Sequence, residues 1–144
     1  MVATGTDSRW AHLLNNIPSD LPKDQPIVMT NLLKFYDQAR YPPGSPFTPT
    51  TGLEAWTVRY VKEYYRIGNE AGGLELVYLG LGGATIVGEP GETWDAVALV
   101  KYPNIDTFRK AIGGEEYKEA ALVHRDAALA DWKLIATTEV KVEG

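Results

Sequence analysis

Few residues in this chain can carry chemistry. Cysteine is absent and histidine occurs only at positions 12 and 124 of the 144 residues, so thiol nucleophiles, disulfides and thiolate metal sites drop out together. His124 is the first candidate. It continues a helical stripe of Tyr117, Ala120, Ala121, His124 and Ala128, whose small members leave space beside an imidazole. An imidazole facing a cavity is a general acid or base near neutral pH, whereas one at a helix surface or bonded within its own fold is only structural. Asn31 interrupts the apolar set Ile27, Met29, Leu33 and Phe35, where its amide either holds a substrate carbonyl or enolate or satisfies a backbone neighbour. Trp56, Tyr60, Tyr64 and Tyr65 make one helix aromatic around much of its circumference, beyond what a plain core stripe requires. Such a wall suits a flat apolar ligand, with Tyr65 or Tyr64 to hold its oxygen. Asp95, beside the possible wall residue Trp94, is either an acid–base group or a turn cap. Arg125 is either a structural ion-pair partner or an anchor for a ligand carboxylate.

Other familiar patterns fail. Gly80-Leu81-Gly82-Gly83 begins like a dinucleotide loop, but position 85 is Thr85 and strand-forming residues surround it. Ser8, Ser19 and Ser45 lie outside any nucleophile-elbow sequence. Alanines occupy the positions three and four before His124, where a helical metal site needs ligands. The expectation is therefore a site with neither a dinucleotide loop nor a protein-built metal centre.

The elements that must position these residues can be read from periodicity. Trp10, Leu13, Leu14 and Ile17 predict a short amphipathic helix over 7–17, capped by Asp7 or Ser8 and stopped by Pro18. Pro18, Pro22 and Pro26 extend the connection to Ile27–Phe35, an almost continuously apolar strand. A proline-rich loop over 36–51 follows, either an active-site lid or inert surface. Thr51-Gly52-Leu53-Glu54 fits a capping box that opens a helix ending at Gly72-Gly73. Strands over 74–87 and 94–102 form an antiparallel pair. Asn104 or Asp106 caps a short helix that breaks at Gly113-Gly114, a longer helix covers about 115–130, and a last strand covers 132–140.

The order strand, helix, strand, strand, helix, strand is the split βαβ, ferredoxin-like α+β arrangement, with both helices on one face of an antiparallel sheet. Residues 1–26 form an added arm and residues 27–144 the domain. In the first and third strands both alternating sets are largely apolar. Helices cover one face, so the other calls for a partner, and a homodimer through paired sheets would supply it.

Composition sets the outer limits. A chain with 44% hydrophobic and 23% charged residues has the makings of one globular domain. The net charge of −5 arises entirely in residues 73–144, with seven basic and twelve acidic groups, against seven of each in residues 1–72. That balance argues against nucleic-acid or anionic-membrane partners. The chain shows neither a long apolar run nor a signal pattern at Met1-Val2-Ala3-Thr4-Gly5, so the expected location is cytoplasmic.

The stretches Trp94 to Pro103, Glu116-Tyr117 and His124 to Asp131, with Asn31 to Phe35, Gly52 to Trp56 and Tyr60, resemble the domain-of-unknown-function 1330 family of the dimeric α/β barrel superfamily. The likeness spans about residues 27–138. It departs at Asn104-Ile105-Asp106, where relatives carry a Ser-Arg pair. The resemblance implies a face-to-face dimer and a pocket between sheet and helices that works without an organic cofactor. It leaves the reaction open. The leading expectation is an isomerase, cyclase or dehydratase acting on an aromatic or polyketide-like metabolite. His124 would move the proton, Asn31 and Tyr65 or Tyr64 would hold the oxygen, and Trp56, Tyr60 and Trp94 would form the walls. The alternatives are cofactor-free oxygen insertion into a phenol, a haem-using variant through Asn31, Trp94 and His124, and a non-catalytic carrier.

Overall fold

The computed structural model describes residues 9–143. Four strands, β1 (Ile27–Phe35), β2 (Glu75–Leu81), β3 (Ala96–Tyr102) and β4 (Leu129–Thr137), form one antiparallel sheet in the order β2-β3-β1-β4. Helix α1 spans residues 52–71, α2 is Ile105–Gly113, and α3 covers 115–128; all pack on one face. This is the α+β ferredoxin-like arrangement expected from the element order.

Alternation along the strands decides which side is core. Ile27, Met29, Asn31 and Leu33 of β1, with Ala96, Ala98 and Val100 of β3, are buried beneath the helices. The opposite set, Val28, Leu32, Val97 and Leu99, is only half-buried, and Val77, Tyr78 and Ile135 beside it are exposed. Among the described residues, only one face of the apolar strands is covered.

Helix α1 starts as expected, with Thr51 Oγ1 accepting from the Glu54 N–H at 3.1 Å. Only half of the capping box closes, because the Glu54 carboxylate accepts instead from Thr50 Oγ1 at 2.6 Å. At the other end Gly72 takes φ 140°, a conformation side chains disfavour, and stops the helix. Asn104 caps α2, its side-chain oxygen accepting from the Thr107 N–H at 2.9 Å. Both long helices carry a π-helical segment, Ala55–Tyr60 in α1 and Tyr117–Ala121 in α3.

Three expectations need correction. The N-terminal element is a 3₁₀ turn, Leu13–Asn16, stabilised by short-range bonds such as Asn15 N–H to His12 O at 2.9 Å. The caps assigned at Asp7 or Ser8 lie outside the described residues. Trp10, Leu13, Leu14 and Ile17 nevertheless pack on the core. Strand β2 ends at Leu81, and one last bond across the pair, from the Gly82 N–H to Asp95 O, follows it. Helix α3 stops at Ala128 and β4 follows at Leu129, because the Ala128 carbonyl accepts from the Tyr36 N–H at 2.9 Å and leaves the helical ladder.

Candidate functional site

Helices α1 and α2, Arg125 of α3 and the buried face of the sheet line a cavity of about 40 Å³. Asn31, Trp56, Tyr60, Tyr64, Tyr65 and Arg125 all line it, bringing together most of the residues singled out from the sequence. The rings of Trp56, Tyr60 and Tyr64 stack in succession at 5.7 and 5.4 Å, so the aromatic stripe of α1 forms one wall. Tyr102 and Trp132, which pattern reading assigned only to strands, complete much of the rest.

A polar chain runs through this apolar space. The guanidinium of Arg125 is 2% exposed, ion-pairs with Asp126 at 3.2 Å, and donates from Nη1 to the Tyr117 phenol at 3.1 Å. Tyr117 meets the Tyr60 phenol at 2.7 Å. Since Tyr117 accepts from Arg125, its own hydrogen is available to Tyr60, whose O–H can then turn into the cavity. Burial first, then the neighbouring phenols Tyr117 and Tyr64, push the Tyr60 pKa well above its ordinary value. Tyr60 therefore remains a proton donor. Burial also raises Tyr64, which bonds to the Tyr102 phenol. Burial works against the Arg125 charge, but its contacts with Tyr117, Tyr60 and Asp126 outweigh it, and the guanidinium stays protonated. Its charge is softened further by the faces of Trp132 and Trp10, at 5.2 and 5.8 Å.

Asn31 faces the cavity with its amide engaged. Its Nδ2 donates to Ala98 O at 3.2 Å, and its Oδ1 accepts from Trp132 Nε1 at 3.0 Å. It orients Trp132, and its donors point at backbone carbonyls rather than at a ligand. Tyr65 lines the cavity while its hydroxyl accepts from the Leu76 N–H at 3.1 Å.

His124 is elsewhere. Its Nδ1 lies 2.7 Å from the Tyr41 hydroxyl, and Phe47 packs on its ring at 4.5 Å. Both partners come from the proline-rich loop, which closes over the histidine. Arg59 donates to Tyr41 Oη at 3.2 Å, so the Tyr41 hydrogen goes to Nδ1 and the neutral imidazole keeps its proton on Nε2. Burial, then nearby Arg59, lower the His124 pKa, while Glu63 acts the other way. The shallow hollow beside it is lined by Phe47, Arg59, Lys62 and Glu63 and shares no residue with the sheet–helix cavity.

The separation has a local cause. In an uninterrupted α-helix, residues 117 and 124 fall on one face, within about 20° of each other. The π segment Tyr117–Ala121 inserts one extra residue, so Arg125 takes the place beside Tyr117 and His124 rotates away by about 100°. Reading a 3.6-residue period through that segment placed the wrong side chain in the cavity.

Asp95 and Trp94 are also outside. Asp95 is exposed, and its Oδ2 accepts from the Phe35 N–H at 2.8 Å, a cap joining β1 to the start of β3. Trp94 donates to Glu92 Oε2 at 2.8 Å and lies near Lys133 on the far side of the sheet. Tyr117 is the hydrogen-bonded link behind Tyr60 rather than a wall of the cavity. Asn31, Trp94 and His124 occupy three separate environments and do not converge on a shared haem face. Among the described residues, no three His, Cys, Asp or Glu side chains gather as a metal site, and no helix is long and apolar enough to cross a membrane.

No family model matches the chain, and no curated protein matches it. Among solved structures, it is similar to the methylated RPA0582 protein, with a TM-score of 0.71 and 32% identity over 83% of this chain and 84% of that one. It is similar in the same way to the RPA0582 protein of unknown function from Rhodopseudomonas palustris, a structural genomics target, with a TM-score of 0.71 and 31% identity over 83% and 86% of the two chains. At that identity and coverage, the chain belongs to the same family as the RPA0582 protein of Rhodopseudomonas palustris.

Proposed function

We propose that this chain is a small cofactor-independent enzyme that binds an apolar, aromatic or polyketide-like metabolite between sheet and helices and catalyses its isomerisation, cyclisation or dehydration. The observation that carries this reading is the chain Arg125–Tyr117–Tyr60, a buried cation relayed through two phenols into an aromatic cavity. Such an array stabilises an oxygen on which negative charge develops. In an isomerisation, a carbon-bound proton adjacent to a carbonyl is lost to solvent, since no lining side chain among the described residues is a base. The electron pair moves onto the oxygen that Tyr60 holds, and a proton returns to a different carbon. Tyr60 thus takes the oxygen-holding role expected of Asn31 and Tyr65 or Tyr64, and His124, outside the cavity, takes no part.

The test is deuterium exchange at the carbon adjacent to the carbonyl of aryl ketones and β-diketones in D₂O, followed by NMR. Exchange by the wild-type chain, falling at least ~10-fold in Tyr60→Phe, supports the assignment. Exchange equal to the buffer rate would sink it.

A second reading has its own observation. The cavity is lined by no carboxylate and no imidazole among the described residues, which favours a carrier that binds such a molecule without converting it. Bound ligand recovered unchanged distinguishes that case. In either reading we place the chain in the domain-of-unknown-function 1330 family and pair two copies through the uncovered sheet face, where Val28, Leu32, Val97 and Leu99 are half-buried.

A further inference from the structure

At about 40 Å³ the sheet–helix cavity has room for a few waters, whereas sites for drug-sized molecules span ~300–1,000 Å³. Space of that size lies next to it. A chamber of about 440 Å³ opens between residues 10–21 and the β4 side of the sheet. Met29, Phe108, Trp132 and Leu134 line both spaces and form the partition between them.

Two features make the partition and the outer wall movable. The Trp132 indole is half-buried, bonded through Nε1 to Asn31 Oδ1, with Trp10 against it edge-on at 5.4 Å and the Arg125 guanidinium over its ring at 5.2 Å. Among the described residues, the arm forms no strand with the sheet. Leu13, Ile17 and Leu21 rest on the body of the domain, and Arg9 reaches exposed Asp131 at 3.7 Å. Segments held this way, without a ladder of backbone bonds, open at lower cost than the core. The far wall is apolar while Arg125 supplies positive charge beside Trp132, so the two ends ask for different chemistry in one molecule.

We propose that this chamber binds the apolar part of the ligand, with Trp132 turning aside and the arm closing over it, and that the ligand class is an aryl or long alkyl group bearing a carboxylate or enolate. The anionic oxygen sits at Tyr60 and Arg125 and the apolar body lies against Ile17 and Leu21. This rests on the proposed function for the placement of the oxygen.

The test compares benzoate with 2-naphthoate on the full chain by calorimetry. The second ring should tighten binding at least ~10-fold, and Ile17→Glu should collapse that ratio toward unity. An unchanged ratio in Ile17→Glu overturns the chamber. If Arg125→Gln binds both probes like wild type while Ile17→Glu still collapses the ratio, the chamber stands and the oxygen assignment falls. If neither probe binds, both fall.

A second experiment does not depend on that variant folding. Leu14 Cδ1 lies 3.3 Å from where a Cβ at position 113 would stand. In this cysteine-free chain, Leu14→Cys with Gly113→Cys puts one pair of thiols at that contact, and their oxidation after folding, verified by loss of free thiol, pins the arm. Oxidation should slow 2-naphthoate association several-fold, and reductant should restore it. Equal rates in the two forms overturn the arm as the closing wall.

Discussion

The phenol oxygens of Tyr60 and Tyr117 lie 2.7 Å apart, and a π-helical segment carries each of them. A π turn widens the helix and moves the following side chains around its axis, and such turns recur where function requires an off-register residue. Here the two turns place one phenol in the cavity and the other between it and Arg125.

Removing the middle of that chain should be costly. Tyr117→Phe takes an acceptor from the buried Arg125 and a partner from Tyr60, and is expected to destabilise the fold by about 1–3 kcal/mol in urea unfolding. Combined with Tyr60→Phe, the loss should be clearly less than additive. Strict additivity would show that the two phenols act independently.

Stability should fall on the acid side of neutrality. The folded state holds His124 below its ordinary pKa of 6.5, so between those two values the unfolded chain binds the extra proton. Stability from this source is full above about pH 6.5 and drains away as the pH falls toward the depressed folded value. The groups facing the imidazole are Tyr41, Arg59 and Glu63. Urea titrations at a series of pH values should show this slope in the wild type and a flatter one in His124→Gln. Parallel slopes would refute the assignment.

Gly52 is required by crowding. A Cβ there would stand 2.2 Å from the Tyr36 carbonyl oxygen and 2.8 Å from that of Ala128, where the ends of β1 and α3 meet the start of α1. Gly52→Ala is expected to cost at least ~1–3 kcal/mol, a drop of several degrees in thermal unfolding. It should also loosen the loop over His124, whose Arg40 N–H bonds to Ala127 O at 2.8 Å. A wild-type melting temperature would contradict this.

The uncovered sheet face should control assembly. Leu99 is half-buried in the middle of that face and points away from the helices. Leu99→Lys places a charge at the centre of the proposed dimer contact and should yield a folded monomer by sedimentation equilibrium, where the wild type is expected to sediment as a dimer. A wild-type chain that is monomeric at high micromolar concentration would remove the dimer.

Much of the fold was legible because it rests on local rules. The nearly continuous apolar run after Pro26 gave Ile27–Phe35 to the residue, Thr51 and Asn104 acted as caps, and Gly72 ended α1. Boundaries failed where a distant backbone group competed for a bond, as at Ala128, whose carbonyl is taken by Tyr36. The aromatic wall of α1 was legible too, since Trp56, Tyr60 and Tyr64 recur at helical spacing and face one way. The partners of His124 were not. Tyr41 and Phe47 reach it from a loop that has no periodicity to read.

Composition and pattern by themselves determined one α+β domain, an aromatic helix face, and a very short roster of groups able to carry a proton, because those properties depend on residue type and near-neighbour spacing. Which member of that roster meets the cavity was decided only in three dimensions. One residue's worth of extra turn in α3 exchanges His124 for Arg125, and no local preference of Tyr117–Ala121 announces it. The wide turn carries Tyr117 into direct bonds with Tyr60 on one side and Arg125 on the other, contacts that exist only in the folded chain.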